Sequence, residues 1–516
     1  MATAPTDMAD SPPRPEISPA RRWVILGAVV LSVTLYSTSI LIVAAVLPQL
    51  QGAMSATPDE ISWTMTFNIL ATAVTTPLTG WLAGRFGRRN LMVGAVGLFG
   101  LSTYFCGAAN SLEALIFWRI VQGAAGAPLS PMGQTVALDI FPKHQHGMVI
   151  GLYGIGVVMG AFIGPMVGGV MAETYTWRYA FYLLVPISFG AALSVYFALP
   201  RTRRQEKVKL EWTGFILISA SIACLQLALS RGQRLDWFQS TEILIEVFVA
   251  ALAFYMFIAH SLTHKKPFLN LRLLLNRNYA LGLVLVTIYG MLNFTPMVIL
   301  PGLLREHVGL PDSLIGYVVG SRGIGAMMGF FTAMWVGAKY PRKTMCAGFL
   351  AQVIAGLWLM SSNLNTTPME FALNGMLQGL AVGTIWVPLT SVTFSTLDPK
   401  HLDETTSVYH LLRNIGSSFF ISMSVTEIVR SASRNYEHLT EHITEFNPVL
   451  KFPWVMGEWD MGSVEGLARL SAEMVHQASL ISYINAFGLY TLASAAAIPL
   501  ILLVSRVPSK AARAGA

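Results

Sequence analysis

Three arginines, Arg119, Arg322 and Arg413, lie deep inside long apolar runs, and His410 stands three residues before the last of them. A guanidinium stays charged at physiological pH, and burying one in a membrane span costs at least ~2.5–3.5 kcal/mol. Each must therefore face a protein interior, a partner or water. Arg322 sits near the middle of its run, too deep for its stem to reach an interface comfortably. The spacing of three puts His410 and Arg413 on one helix face. An imidazole gains and loses a proton near neutral pH, so His410 can titrate; a neutral ring bonded to a neighbour is the alternative. The apolar runs show no acid pair, no nucleophile with its base and no metal-ligand cluster. Neither an enzyme nor a cofactor is expected.

The elements that must carry these side chains follow from composition. Of 516 residues, 54% are hydrophobic and 12% charged, against about 25% charged in soluble domains. Lipid can solvate that much apolar surface where water cannot. Runs long enough to cross a bilayer recur fourteen times, from 23–47 to 478–505. The first is too long for the apolar core of a cleavable signal peptide and reads as a retained helix. The three cysteines, Cys106, Cys224 and Cys346, lie inside apolar runs and read as small packers rather than as a disulfide or metal framework.

With a cytoplasmic N-terminus, 23 of the 34 Lys and Arg residues fall in cytoplasmic connections and 8 on the other side; Arg119, Arg322 and Arg413 account for the rest. This asymmetry places both termini in the cytoplasm. The chain also repeats. Trp81 to Arg89, with Arg85, Arg88 and Arg89 in the pattern, is echoed by Trp335 to Lys343 at an offset of 254, and Gln122-Gly123 by Gln378-Gly379 at 256. Two echoes at nearly one offset predict a duplicated six-helix unit with two extra helices between the copies. The boundaries expected are a tail over 1–20, a bundle over 21–199, a linker with two extra helices over 200–270, a second bundle over 271–505 and a tail over 506–516. In the fifth run Gly156, Gly160, Gly164 and Gly168 recur every fourth residue, beside Pro165 and Gly169. Four residues turn a helix by ~400°, so the stripe stays on one side and lets a partner helix approach closely.

These motifs resemble the major facilitator superfamily, and within it the fourteen-helix drug/proton antiporters of the EmrB/QacA type. The resemblance spans about Trp23 to Arg506. The loop Gly80-x-Leu82-Ala83-Gly84-Arg85-x-Gly87-Arg88-Arg89 is similar to the signature between helices two and three. Arg119-x-x-Gln122-Gly123 is similar to the segment of helix four whose arginine the family implicates in proton coupling; anchoring to neighbouring carbonyls is the other reading. Gly156 to Gly169 resembles the antiporter motif, with generic helix packing as the alternative. Trp177-Arg178-Tyr179-x-Phe181 and Tyr409 to Gly416 match further family segments. The resemblance implies an all-α integral membrane protein of two six-helix bundles plus two inserted helices. It implies export of amphiphiles by proton antiport from the inner membrane, with a periplasmic adaptor and an outer-membrane channel as partners. A proton-coupled uptake symporter or a dedicated metabolite exporter is the alternative.

Two departures matter. Gly84 stands where the family often has an acid, which weakens a charge-relay gate there, and Ser39 replaces the usual acid of the first helix. With three buried arginines and no acid expected near mid-span, the interior should favour anionic or neutral amphiphiles over cations. The segment 431–477 is the longest external connection expected, with 464–477 as a short amphipathic helix. Loops of that length usually carry function or are disordered, so it is the expected adaptor dock. Glu437-His438 and Glu441-His442 also invite a metal reading.

Overall fold

The computed structural model describes residues 18–200, 209–265, 267–337, 339–363, 365–398, 401–444, 446–452, 459 and 462–504. Fourteen helical rods fill them. The first set is α1 (Pro19–Met54), α2 (Pro58–Thr75 and Thr79–Phe86, joined by a 3-10 turn), α3 (Arg88–Ala108), α4 (Leu112–Gly126 and Leu129–Ile140), α5 (His146–Thr174) and α6 (Trp177–Tyr182 and Leu184–Ala198). Two rods follow, α7 (Trp212–Arg231) and α8 (Thr241–Thr263). The second set is α9 (Arg277–Glu306), α10 (Asp312–Thr332, ending in a π turn over Ala333–Gly337), α11 (Pro341–Met360), α12 (Pro368–Phe394), α13 (Leu402–Glu441) and α14 (Val464–Leu503). An even number of crossings returns the chain to the face it started from, called the terminal face below. There Arg21 Nε donates to the Ala198 carbonyl at 3.1 Å, tying the start of α1 to the end of α6.

Local chemistry sets starts and breaks. Thr57 with Glu60 and Thr367 with Glu370 form capping boxes ahead of α2 and α12, each with proline in the first turn. Interior prolines lack an N–H and crowd the preceding turn. Accordingly α2 kinks at Pro77, α4 at Pro128, and α6 three residues ahead of Pro186. Eleven of the rods are long and apolar enough to cross a membrane unaided. The others, α2, α4 and α13, are broken or rich in Ser, Thr and charge, and they carry many of the interior polar groups.

The two sets pack alike. In the first, α1 lies on α5, α2 on α4, and α3 on α4 and α6; in the second, α9 lies on α13, α10 on α12, and α11 on α12 and α14. The repeat offset therefore relates contacts as well as letters. The pair α7–α8 covers the seam between α2 and α13, where Ile218, Ile222 and Phe257 cluster with Ala73 and Leu411. Its hydrogen bonds run to α13: Gln226 Nε2 donates to Ser418 Oγ (3.1 Å), and the Ser422 hydroxyl donates to the Leu229 carbonyl (2.6 Å). Toward α2 it offers Arg231 over the Trp63 ring, 5.9 Å from its centroid.

The expected loop over 431–477 is shorter than its sequence suggests. α13 and α14 have 40 residues each, or ~60 Å, twice a ~30 Å hydrocarbon core. They extend past the membrane side by side on the face opposite the termini, with Tyr436 and Ser471 hydroxyls 3.3 Å apart. The segment 464–477 is thus the first part of α14, and only 442–463 lies between helices. Of that segment, 453–458, with Trp454, lies outside the described residues, as do 1–17 of the expected tail and all of 506–516.

Candidate functional site

Arg119 is a helix staple. It is 1% exposed. Its Nε donates to the Thr64 carbonyl (3.3 Å) and its Nη1 to Gln122 Oε1, while Gln122 Nε2 reaches Thr103 Oγ1 (2.6 Å). Asn68 Nδ2 in turn donates to the Arg119 carbonyl at 2.8 Å. All these partners are neutral. Gly123 makes the approach of α2 possible, because a Cβ there would run into the Asn68 carbonyl oxygen.

The second set repeats this joint with the arginine on the other helix. Arg322 occupies the place of Asn68 at the repeat offset, and a Cβ on Gly379, the counterpart of Gly123, would press into the Arg322 carbonyl. Its guanidinium donates from Nη2 to the Leu292 carbonyl of α9 (3.3 Å), and Nη1 is buried without an acceptor. Gln378, the counterpart of Gln122, donates to Asn374 Oδ1 at 2.7 Å.

His410 and Arg413 lie eight and eleven residues into α13, ~12 and ~17 Å along its axis. His410 is 1% exposed and joins the two sets, its Nε2 lying 2.7 Å from Gln134 Oε1 on α4. Because that oxygen can only accept, Nε2 carries the proton and Nδ1, which has no partner, is bare in the neutral ring. Arg413 lies over the Trp386 ring at 5.7 Å and donates from Nε and Nη2 to Asn414 Oδ1 (3.3 and 3.1 Å). One turn nearer the terminal face, Thr135 and Thr406 hydroxyls meet at 2.8 Å, again across the two sets.

The loop after α2 forms a third joint. Gly87 takes φ 81°, the left-handed conformation glycine accepts without strain. The turn delivers Arg88 between Asp139 at the end of α4 (2.8 Å) and Asp403 at the start of α13 (3.0 Å). A charge bridge thus exists despite Gly84, built from acids on other helices. Arg89 stacks over Tyr196 at 4.3 Å. Arg85 ends the second piece of α2, and Gly80 abuts the backbone of Glu404. The three polar joints described between the sets, His410 to Gln134, Thr135 to Thr406 and the Arg88 bridge, lie in the half of the molecule toward the termini, so the protein is closed on that face.

The glycine stripe faces inward to its own set. Gly156, Gly160 and Gly164 lie against Val30, Thr34 and Thr38 of α1, and Thr34 Oγ1 donates to the Gly156 carbonyl at 2.8 Å. Pro165 lies within α5, Gly168 is buried, and Gly169 faces open space. The opposite side of α5 meets α10: Met334 fills the space beside Gly151, Phe330 that beside Gly154, and Phe162 lies on Gly320 and Gly323.

Sequence reasoning missed Gln134, Asp403 and Glu246. Glu246, the sixth residue of α8, lies 3.6 Å from Arg231, off the middle of its span. It belongs to the inserted pair and not to the arginine-lined interior. Among the described residues no group of His, Cys, Asp or Glu is placed to hold a metal ion.

The family model of the Major Facilitator Superfamily matches residues 28–288 and 282–425. The multidrug export protein EmrB of Escherichia coli is 30% identical over 78% of this chain and 79% of its own length. The fatty acid resistance protein FarB of Neisseria gonorrhoeae is 27% identical over 84% of this chain and 85% of its own. Among solved structures, the human organic anion transporter MFSD10 superposes with a TM-score of 0.60 at 14% identity, covering 93% of this chain and all of that one. The proton:xylose symporter XylE superposes with 0.57 at 14% identity, covering 92% and 95%. The matched motifs, the doubled six-helix packing and the inserted pair agree: the chain belongs to the Major Facilitator Superfamily, in the group of the EmrB multidrug export proteins.

Proposed function

We propose that this protein is a multidrug efflux transporter that exports amphiphilic molecules, anionic or neutral in preference to cationic, across the inner membrane in exchange for protons. The observation that carries the reading is an interior with three buried arginines, set between two like halves that meet through breakable polar contacts of His410, Thr406 and Arg88. The kinship with EmrB and FarB supplies the substrate class. The halves, 21–199 and 271–505, rock about the centre, and the terminal face is cytoplasmic, in keeping with its Lys and Arg. Arg119, Gln122, Arg322, His410 and Arg413 carry coupling and substrate. Gly80, Arg85, Gly87, Arg88 and Arg89 form the gating loop, Gly156, Gly160 and Gly164 set the pivot of α5 on α1, and Pro165, Gly168 and Gly169 complete the antiporter motif. His410 is the proton-exchanging group: a second proton, on Nδ1, puts a cation beside Arg413 and loosens the joint to Gln134. The projecting ends of α13 and α14, with 442–463, dock a periplasmic adaptor that leads to an outer-membrane channel.

The test is transport in proteoliposomes under an imposed pH gradient with anionic, neutral and cationic amphiphiles. Movement of the first two classes against the proton flux is expected, with His410→Gln losing the dependence on the gradient. Movement of cationic dyes alone, or movement with the protons, sinks the reading.

The inserted pair should ride with the second half, since its hydrogen bonds go to α13. A disulfide between Gln226→Cys and Ser418→Cys is expected to leave export intact. A short thiol linker between Trp63→Cys and Arg231→Cys is expected to stop it. The reverse pattern in a vesicle assay would assign the pair to the first half.

A further inference from the structure

The three arginines are not equivalent, and the difference identifies the one that reads the substrate. Arg119 is spent on Thr64 and Gln122 inside its own half. Arg322 points to the Leu292 carbonyl of α9, inside the second half. Arg413 stands at the joint. It lies one turn beyond His410, whose ring meets Gln134 of the first half at 2.7 Å, and its guanidinium lies over Trp386 of the second. A molecule handed from one face to the other must be touched by both halves at the midplane, and of the three arginines Arg413 is the one beside a contact between the halves.

Its surroundings hold more unpaired donors than unpaired acceptors, with the bare His410 Nδ1 on the acceptor side. Trp386 is 3% exposed and its indole Nε1 has no acceptor; nor has the amide Nε2 of Gln134. Both of the bonded nitrogens of Arg413 share a single oxygen, on the adjacent Asn414. These groups form one cluster: Arg413 lies 5.7 Å from the Trp386 ring, Trp386 lies 6.0 Å from His410, and His410 is bonded to Gln134. A buried donor without an acceptor is costly, and a carboxylate offers about four lone-pair sites together with the opposite charge. An ammonium offers neither. The cluster has apolar walls, since Tyr289 and Tyr409 pack on Trp386 with ring centroids 5.1 and 5.6 Å away. The Arg413 backbone is held by Gly290 of α9, whose missing side chain lets the two helices touch.

We infer that Arg413, with the Trp386 indole N–H and the Gln134 amide, is the head-group site for a monoanionic amphiphile, a long-chain carboxylate being its simplest form. The inference rests on the export reading and names the substrate class and the residues that select it.

The experiment uses the full-length protein in lipid nanodiscs and equilibrium binding of dodecanoate, dodecanol and dodecylamine. Arg413→Gln is expected to weaken dodecanoate ~10–100-fold, the worth of a charged hydrogen-bonded contact, and to leave dodecanol unchanged. Trp386→Phe keeps the ring, removes the donor, and should weaken dodecanoate ~5–10-fold. Arg413→Lys keeps the charge and should fall between wild type and glutamine, which decides the matter if the glutamine variant does not fold. Unchanged dodecanoate binding in these variants overturns the site, as does an equal loss for dodecanol, or a larger loss in Arg322→Gln. Selective binding without vesicle transport would leave the site standing and sink the export reading. Transport with binding indifferent to Arg413 and Trp386 would do the opposite.

Discussion

Gly160→Val is expected to leave little folded protein in the membrane. At this position α1 and α5 touch backbone to backbone: a Cβ would push into the Thr34 carbonyl oxygen and come within 2.8 Å of Ser37 Cβ. Neither neighbour can retreat. One turn on, a Cβ at Gly164 would lie 2.8 Å from the Thr38 carbonyl, and one turn back Thr34 Oγ1 is bonded to the Gly156 carbonyl. Overpacking a core with flexible side chains costs ~1–3 kcal/mol, and a clash with main chain on both sides costs more. In lipid there is little hydrophobic drive to compensate, because close packing is itself what holds helices together. The contrast is Gly169→Val, where nothing lies within 4 Å and normal yield is expected. Size-exclusion profiles and thermal transitions of the detergent-solubilised variants check both. If Gly160→Val folds with a wild-type transition, the stripe is not the packing face described here. If Gly169→Ala folds normally but loses exchange, the end of the motif has a role beyond packing.

Much of this architecture was legible in the sequence, and the reason is physical. A bilayer demands a long apolar run for most crossings, so eleven of the fourteen rods stand out by hydropathy alone, and a duplication shows as an offset. Arg119, Arg322, His410 and Arg413 stood out because charge in lipid is rare. Their partners did not. Gln134 lies 276 positions from His410, and Asp403 lies 315 from Arg88; no local spacing encodes either pair. The exchange of roles between Asn68 and Arg322 was also hidden, because the letters differ while the backbone geometry around Gly123 and Gly379 is conserved between halves. The long projections of α13 and α14 escaped because hydropathy reports where a helix leaves lipid and not where it ends.

Arg88→Ala is expected to open the terminal face. In the closed arrangement Arg88 bridges an acid of each half: Asp139 on α4 and Asp403 on α13, at 2.8 and 3.0 Å with all three side chains less than a third exposed. Removing it takes away the ion-pair attraction that ties the end of α4 to the start of α13. Charge-assisted contacts of this kind are worth ~1.5–3 kcal/mol each before screening. Losing ~1.5 kcal/mol of net preference shifts the closed-to-open ratio about tenfold. Lysine at the same place keeps one charge but cannot serve two carboxylates with a planar fork, so Arg88→Lys should give a smaller shift. The readout is the rate at which a cysteine at position 135, in protein otherwise free of cysteine, reacts with an impermeant thiol reagent supplied from the terminal face. Thr135 is shielded when it meets Thr406, so reaction should be slow in the parent, fast in Arg88→Ala and intermediate in Arg88→Lys. High salt should speed the parent and hardly change the alanine variant, because only the parent has an ion pair to screen. Equal rates in all three proteins would mean that the hydrogen bonds of His410 and Thr406 hold this face shut without Arg88. The lock would then lie within the membrane, next to the arginine proposed to meet the substrate.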